Sequence, residues 1–203
     1  MKIICVGRNY INHALELKNP IPDEPLIFLK PATAMLVNNK AFYYPEFSKD
    51  IHYEVEILLK IVKNGRYVQP EFADDYYQQI GLGIDFTARD LQSQLKAKGH
   101  PWEIAKGFDN SAVVSSFVEK NSLPDVHNIH FQLYKNKQLV QDGYTKDMIF
   151  DFNTLICYIS KFFKLQVGDI IFTGTPAGVG PVKIGDKLEG LIEGEKAFIC
   201  EIR

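Results

Sequence analysis

The run Ile51-His52-Tyr53-Glu54-Val55-Glu56-Ile57-Leu58-Leu59-Lys60-Ile61-Val62 constrains the fold more than any other stretch of the chain. It is the longest β-like segment and ends at the turn Lys63-Asn64-Gly65. Alternate side chains of a strand share a face, so His52, Glu54 and Glu56 point one way, followed on that face by Leu58 and Val62. Tyr53, Val55, Ile57, Leu59 and Ile61 point the other way and make a continuous apolar surface. The acidic face is therefore partly buried too. Two carboxylates side by side on such a face repel each other and lose hydration, and a divalent cation relieves both strains. The same pattern also suits an edge strand whose acidic start is solvated.

Other strands read at Lys2–Val6, Leu26–Leu29, Ile80–Phe86 and Val113–Val118. Met35–Val37 and Ala41–Tyr44 read as a hairpin through Asn38-Asn39-Lys40. Ile129–Tyr134 and Leu139–Tyr144 read as another through Lys135-Asn136-Lys137. The C-terminal third is β-rich, with strands at Asp169–Thr173, Lys187–Ile192 and Ala197–Ile202. Helices read at Asn9–Leu17, Pro70–Gln79 and Ala88–Lys98, the last with Thr87 as N-cap. A fourth begins near Asn153, with Leu155, Ile156, Ile159, Phe162 and Phe163 as its apolar face. Strands outnumber helices without βαβ alternation, which argues for an α+β fold over a doubly wound one.

The chain has 203 residues, 46% of them apolar, and neither repeats nor linkers, so one domain over 1–203 is expected. This composition excludes a disordered chain. The balance of 23 Lys+Arg against 25 Asp+Glu argues against nucleic acid or an anionic membrane as partner. Cys5, Cys157 and Cys200 are scattered and form no C-x-x-C, which suits reduced, mostly buried thiols in a reducing compartment. No apolar run approaches the ~18 residues of a membrane span, and the N-terminus lacks a signal-peptide core. A cytoplasmic location is the expectation.

Further candidates for chemistry lie outside the acidic strand. Asp85 ends a buried strand just before a helix start, a common place for a ligand or a capping residue. With Glu54 and Glu56 it completes an all-oxygen set, which favours Mg²⁺ or Mn²⁺ over zinc. In His13-Ala14-Leu15-Glu16 the i, i+3 spacing lets Glu16 orient the imidazole, as in a general base, although a solvated helix face gives the same pattern. The glycine-rich loop Thr173–Pro181 has no Walker ending. It either brings backbone N–H groups and the Thr175 hydroxyl to a small anion or simply turns between strands. Lys106, in a short apolar context, is either a partner for a substrate carboxylate or a surface lysine.

Six segments in order carry a resemblance: GRNYINHALE (Gly7–Glu16), LIFLKP (Leu26–Pro31), HYEVEI (His52–Ile57), DFTARDLQ (Asp85–Gln92), GHPWEIAKGFD (Gly99–Asp109) and IIFTGTPAGVGPV (Ile170–Val182). The chain resembles the fumarylacetoacetate hydrolase family, and most of all its short acylpyruvase/oxaloacetate decarboxylase branch. That resemblance implies a β-rich roll of stacked mixed sheets with a few flanking helices, usually assembled as a homodimer. It implies Glu54, Glu56 and Asp85 as Mg²⁺ ligands (Mn²⁺ as a substitute), and His13 with Glu16 as a catalytic dyad on a lid over residues 8–24. Lys106 falls among the catalytic groups; Arg89, Gln92 and Thr175 fall on positions that contact the substrate's carboxylate and oxo groups. Ala177 stands where relatives often carry a basic residue. The implied activity is metal-dependent C–C cleavage of small anionic 2-oxo acids, by acylpyruvate hydrolysis or oxaloacetate decarboxylation through a metal-held enolate. The alternative on the same site is tautomerisation of oxaloacetate or isomerisation of 2-hydroxy-diene-dioates. A metal-stabilised protein without catalysis is the reading from another class.

Overall fold

A computed structural model describes residues 1–37 and 39–203; the expected turn at Asn38-Asn39-Lys40 lies partly outside the described residues. The fold is α+β, with mixed sheets and a few helices. Among the described residues the largest sheet runs Leu26–Lys30, Ile3–Gly7, Ile170–Phe172, Val55–Ile61, Tyr77–Asp85, Ala112–Val114, Met35–Leu36, with Val118–Glu119 also on Tyr77–Asp85. Two of its pairings are parallel, Ile3–Gly7 with Ile170–Phe172 and Met35–Leu36 with Ala112–Val114. A second sheet is the antiparallel set Gln138–Tyr144, His130–Lys135, Lys187–Ile192 and Glu195–Glu201. A small third sheet joins Gly180–Pro181, Ile51–Tyr53 and Thr87–Ala88.

The two faces of Val55–Ile61 divide the core. Val55, Ile57, Leu59 and Ile61 lie in the main cluster with Phe131, Leu133, Leu188 and Phe198 of the second sheet. Leu58, on the other face, packs with Cys5, Val114, Ile170 and Phe172 in a smaller cluster. Fully burying side chains of this size contributes about 1.5–3 kcal/mol each, so the alternation pins the strand's register. The helix Phe152–Phe162 lays Leu155, Ile156 and Ile159 into the main cluster, and Asp151 caps it by accepting the Thr154 N–H at 2.8 Å. Phe162 departs from the expected apolar face: at the last residue of the helix it is exposed, with its ring packed against Tyr158. No helix of the described residues is long and apolar enough to cross a membrane, and all three cysteines are free.

The structure corrects the sequence reading at several joints. The Ile51–Val62 run is two strands, Ile51–Tyr53 and Val55–Ile61, in different sheets. At the break the Val55 N–H leaves the ladder and donates to the Gln141 side-chain oxygen at 2.9 Å. Met35–Leu36 and Ala41–Tyr44 do not form a hairpin. Met35–Leu36 pairs with Ala112–Val114, whereas Phe42 bridges Ile202 and stacks on Phe86 with ring centroids 4.2 Å apart. Pro70–Tyr76 is a 3₁₀ segment, and Tyr77 already belongs to the next strand, since its register opposite Ile61 buries its ring. The Val113–Val118 strand is likewise two pieces. Thr87 is not a helix cap; it sits in a two-residue strand, and its hydroxyl serves Lys106 instead.

Candidate metal centre and active site

The floor of the site follows from strand register. Val55 faces Ile84 and Glu56 faces Gly83, which sets Glu54 opposite Asp85; the Asp85 N–H donates to the Glu54 carbonyl at 2.9 Å. Opposed residues of an antiparallel pair share a face, so Glu54, Glu56 and Asp85 converge. Each places a carboxylate oxygen within 4.8 Å of the others, and none is more than 5% exposed.

Three cations are woven into this cluster. Lys106 ends the short helix Glu103–Lys106 and donates to Glu54 Oε2 at 2.8 Å, Asp85 Oδ2 at 2.7 Å and Thr87 Oγ1 at 2.5 Å. Arg89, at the start of the helix Arg89–Lys98, reaches Glu54 Oε1 at 2.5 Å and Gln92 Oε1 at 2.7 Å. Lys30, fully buried at the end of Leu26–Lys30, sits 2.8 Å from Asp85 Oδ1 and donates to Ser111 Oγ at 2.9 Å and to the Lys106 carbonyl. Burial opposes charge on Glu54, but Lys106 and Arg89 outweigh it and hold the carboxyl well below the usual range. Burial works against the Lys106 charge too, and Asp85 and Glu54 reverse it, so its pKa is raised.

Glu56 is different. Among the described residues it pairs with no cation, and its one hydrogen bond comes from the Gly174 N–H at 2.7 Å. Burial, then Asp85 and Glu54, push its pKa well up. A buried carboxylate beside two others, with no counter-charge of its own, is what a bound cation would neutralise. The donors are all hard oxygens, and they fit a hard divalent ion held by Glu54, Glu56 and Asp85.

The rim is built from the helix Ile11–Glu16 and the Gly174–Gly180 loop. Asn9 anchors the helix root: its side chain donates to the Phe150 carbonyl at 2.9 Å and the Thr173 carbonyl at 2.8 Å, and accepts the Phe150 N–H at 2.8 Å. His13 is 4% exposed, with Nδ1 3.4 Å from Glu16 Oε2. Glu16 also accepts the Gly178 N–H at 3.1 Å. Gly178 has φ +99°, and a Cβ there would stand 2.2 Å from the Val140 carbonyl oxygen, so only glycine offers its N–H from this position. Burial lowers the His13 pKa, with Glu54 and Glu16 offsetting part of the effect, and so favours the neutral imidazole.

Of the nine residues the sequence singled out, eight line one cleft, and Glu16 stands behind His13. His52, expected on the face of Glu54 and Glu56, does not join them; the strand break turns it to Asp50, 2.9 Å away. Sequence reasoning missed three groups. Lys30 was signalled only by a lysine inside an apolar strand, and Thr87 was misread as a cap. Gln141 gave no signal: it is 1% exposed on the second sheet, and its amide nitrogen donates to Thr175 Oγ1 at 2.8 Å and the Pro176 carbonyl at 2.9 Å. It thereby ties the Thr175 loop to the strand break between the two glutamates.

Residues 2–202 match the family model of the fumarylacetoacetate (FAA) hydrolase C-terminal domain. The chain belongs to the fumarylacetoacetate hydrolase family. It is 44% identical over 192 residues to the mitochondrial oxaloacetate tautomerase FAHD1 of Bos taurus, covering 95% of this chain and 87% of that one. The mitochondrial oxaloacetate decarboxylase of Dictyostelium discoideum is 44% identical over 194 residues, covering 95% and 89%. Among solved structures, fumarylpyruvate hydrolase from Pseudomonas aeruginosa in complex with Mn²⁺ and pyruvate superposes with a TM-score of 0.94 at 32% identity, over 100% of this chain and 89% of that one. Family relatives thus span tautomerase, decarboxylase, hydrolase and isomerase activities.

Proposed function

We propose that this chain is a divalent-metal-dependent enzyme of small 2-oxo acids, that its ion is Mg²⁺ or Mn²⁺, and that it tautomerises oxaloacetate. The observation that carries this reading is a buried His13 sharing one cleft with three carboxylates and Lys106. Tautomerisation needs a base that takes a proton from the carbon next to the 2-oxo group and returns it to oxygen. His13 Nδ1 faces Glu16, which leaves Nε2 as the nitrogen for that transfer. A divalent ion held by Glu54, Glu56 and Asp85 would supply Lewis-acid stabilisation of the negative charge that develops in the reaction.

The protein's own groups do the rest. Thr175 accepts from Gln141, so its hydroxyl proton is free to donate to the substrate carboxylate. The Gln92 amide, oriented by Arg89, lies on the same wall. Lys106 holds Glu54 and Asp85 in place and adds positive charge beside the developing oxyanion.

Carbon–carbon cleavage, the first expectation from sequence, is the second reading. It draws support from the Dictyostelium relative named as a decarboxylase. Loss of CO₂ from oxaloacetate leaves the pyruvate enolate, which His13 in its protonated form would protonate at carbon. One experiment separates the two: enol absorbance and coupled pyruvate release, recorded together with Mg²⁺ and with Mn²⁺. Enol–keto equilibration outrunning pyruvate release is the expected result; the reverse order installs the cleavage reading. If oxaloacetate, acetylpyruvate and fumarylpyruvate all react no faster than with metal alone, both readings fall.

A further inference from the structure

The cations of the cleft fall into two groups. Lys30, Arg89 and Lys106 each lie within 2.8 Å of a carboxylate oxygen. Arg8 and Lys96 line the same cleft, and among the described residues neither pairs with a carboxylate. Lys96 lies instead with Nζ 5.2 Å from the centroid of the Trp102 ring. Arg8 holds φ at +59°, a conformation that is strained for a side-chain-bearing residue, and the bonds of the adjacent Asn9 keep it there. Arg89, Gln92 and Lys96 follow i, i+3, i+7 spacing on one helix, so they share a face, with Lys96 about 6 Å beyond Gln92 along the axis.

We propose that Arg8 and Lys96 form a second anion subsite at the outer end of the cleft. It takes the distal carboxylate of a short 2-oxo dicarboxylate and sets that class above monocarboxylic acylpyruvates. The inference rests on the 2-oxo acid reading above, which places the first carboxylate near Thr175 and Gln92. Two cations that line one cleft, each partly withdrawn from water and neither paired with a carboxylate among the described residues, repel each other, and a carboxylate between them relieves the repulsion. Burial and the nearby Arg8, Arg89 and Lys106 draw the Lys96 pKa down to about 8, the mark of an ammonium short of counter-charge. Ala177, which stands where relatives often carry a basic residue, lies outside the cleft, in a separate groove with Tyr10 and Met148. The distal charge therefore comes from Arg8 and Lys96.

The test uses Mn²⁺-loaded protein and titration calorimetry in the slow His13→Ala background, with oxaloacetate, its 4-methyl ester and pyruvate as probes. Oxaloacetate is expected to bind at least about tenfold tighter than the ester, and Arg8→Gln or Lys96→Gln to erase most of that preference while changing pyruvate binding by less than about twofold. Lys96→Arg should keep the preference. Should Arg8→Gln fail to fold, the Lys96 pair of variants decides alone. Equal losses for all three probes, or no loss for oxaloacetate, overturn the subsite. A preference present in a wild-type protein that turns over no 2-oxo acid upholds the subsite and sinks the reaction; turnover without the preference does the opposite.

Discussion

The floor and the rim of the cleft are built to different standards. On the floor, Glu54, Glu56, Asp85, Lys106 and Lys30 are each 5% exposed or less; Glu56 and Asp85 sit on paired strands, with Glu54 at the strand break beside them. On the rim, His13 rides on a six-residue helix, and the Glu16 side chain is one third (33%) exposed and held by one loop N–H and a long contact to His13. The floor is fixed before any ligand arrives, as charge stabilisation requires, because donors that need not reorganise act at full strength. A six-residue helix is too short to be stable on its own, so its place depends on Asn9 at the root and Glu16 at the tip.

Changes to the floor should have the largest consequences, and of an unusual sign. Glu56 carries a pKa raised by burial and by its neighbours, so in the metal-free protein its ionisation opposes folding. That penalty is absent below the ordinary carboxylate range and grows as pH rises through it. Glu56→Gln should therefore raise the melting temperature of the metal-free protein at pH 7, abolish the rise caused by Mn²⁺, and cut turnover by at least about a hundredfold. Differential scanning calorimetry with and without Mn²⁺ checks this. A lower metal-free melting point, or a preserved Mn²⁺ response, would mean that Glu56 is not a ligand. On the rim, His13→Ala should slow proton transfer by about 10²–10⁴-fold and leave Mn²⁺ affinity within about twofold. A matching loss of metal affinity would merge the two regions into one.

The same contrast separates what the sequence makes legible from what it hides. The period-two spacing of Glu54 and Glu56 marks them as neighbours on one face, and the structure keeps them together although Glu54 stands just before the strand Val55–Ile61. Ordered motifs carried Asp85, Lys106, His13 and Thr175 into one cleft. The break at Glu54 is invisible in the sequence, because the Val55 N–H there is taken by Gln141, 86 residues further on in another sheet. Thr87 was misread because local capping rules compete with a long-range demand, the lone pair that Lys106 needs. Lys30 is buried through contacts with Asp85 and Ser111, which no nearby residue announces.

Gln141 sits where floor meets rim, so its replacement tests whether the two regions are coupled. Gln141→Glu keeps an acceptor for the Val55 N–H but asks the Thr175 hydroxyl to donate inward, turning its proton away from the cleft. Pyruvate affinity in the presence of Mn²⁺ should fall by about tenfold, with Mn²⁺ affinity itself little changed. In a Thr175→Val background the same substitution should cost almost nothing, since the hydroxyl it acts through is gone. Full additivity of the two substitutions would show that Gln141 supports the fold and does not orient Thr175.

The smallest expected effect lies at the rim's outer contact. Glu16 raises the His13 pKa against the lowering caused by burial. Removing the charge in Glu16→Gln should therefore lower the imidazole further, and the base should stay neutral to more acid pH. The acid limb of the kcat profile, already below the ordinary imidazole value, should shift down by less than about one pH unit. The maximal rate should fall only several-fold, because Gln can still accept the Gly178 N–H and hold the helix tip. Glu16→Ala loses that contact as well, so it should add a rise in KM that Glu16→Gln does not show. An acid limb that stays put in both variants would break the dyad and leave Glu16 as a latch between helix and loop.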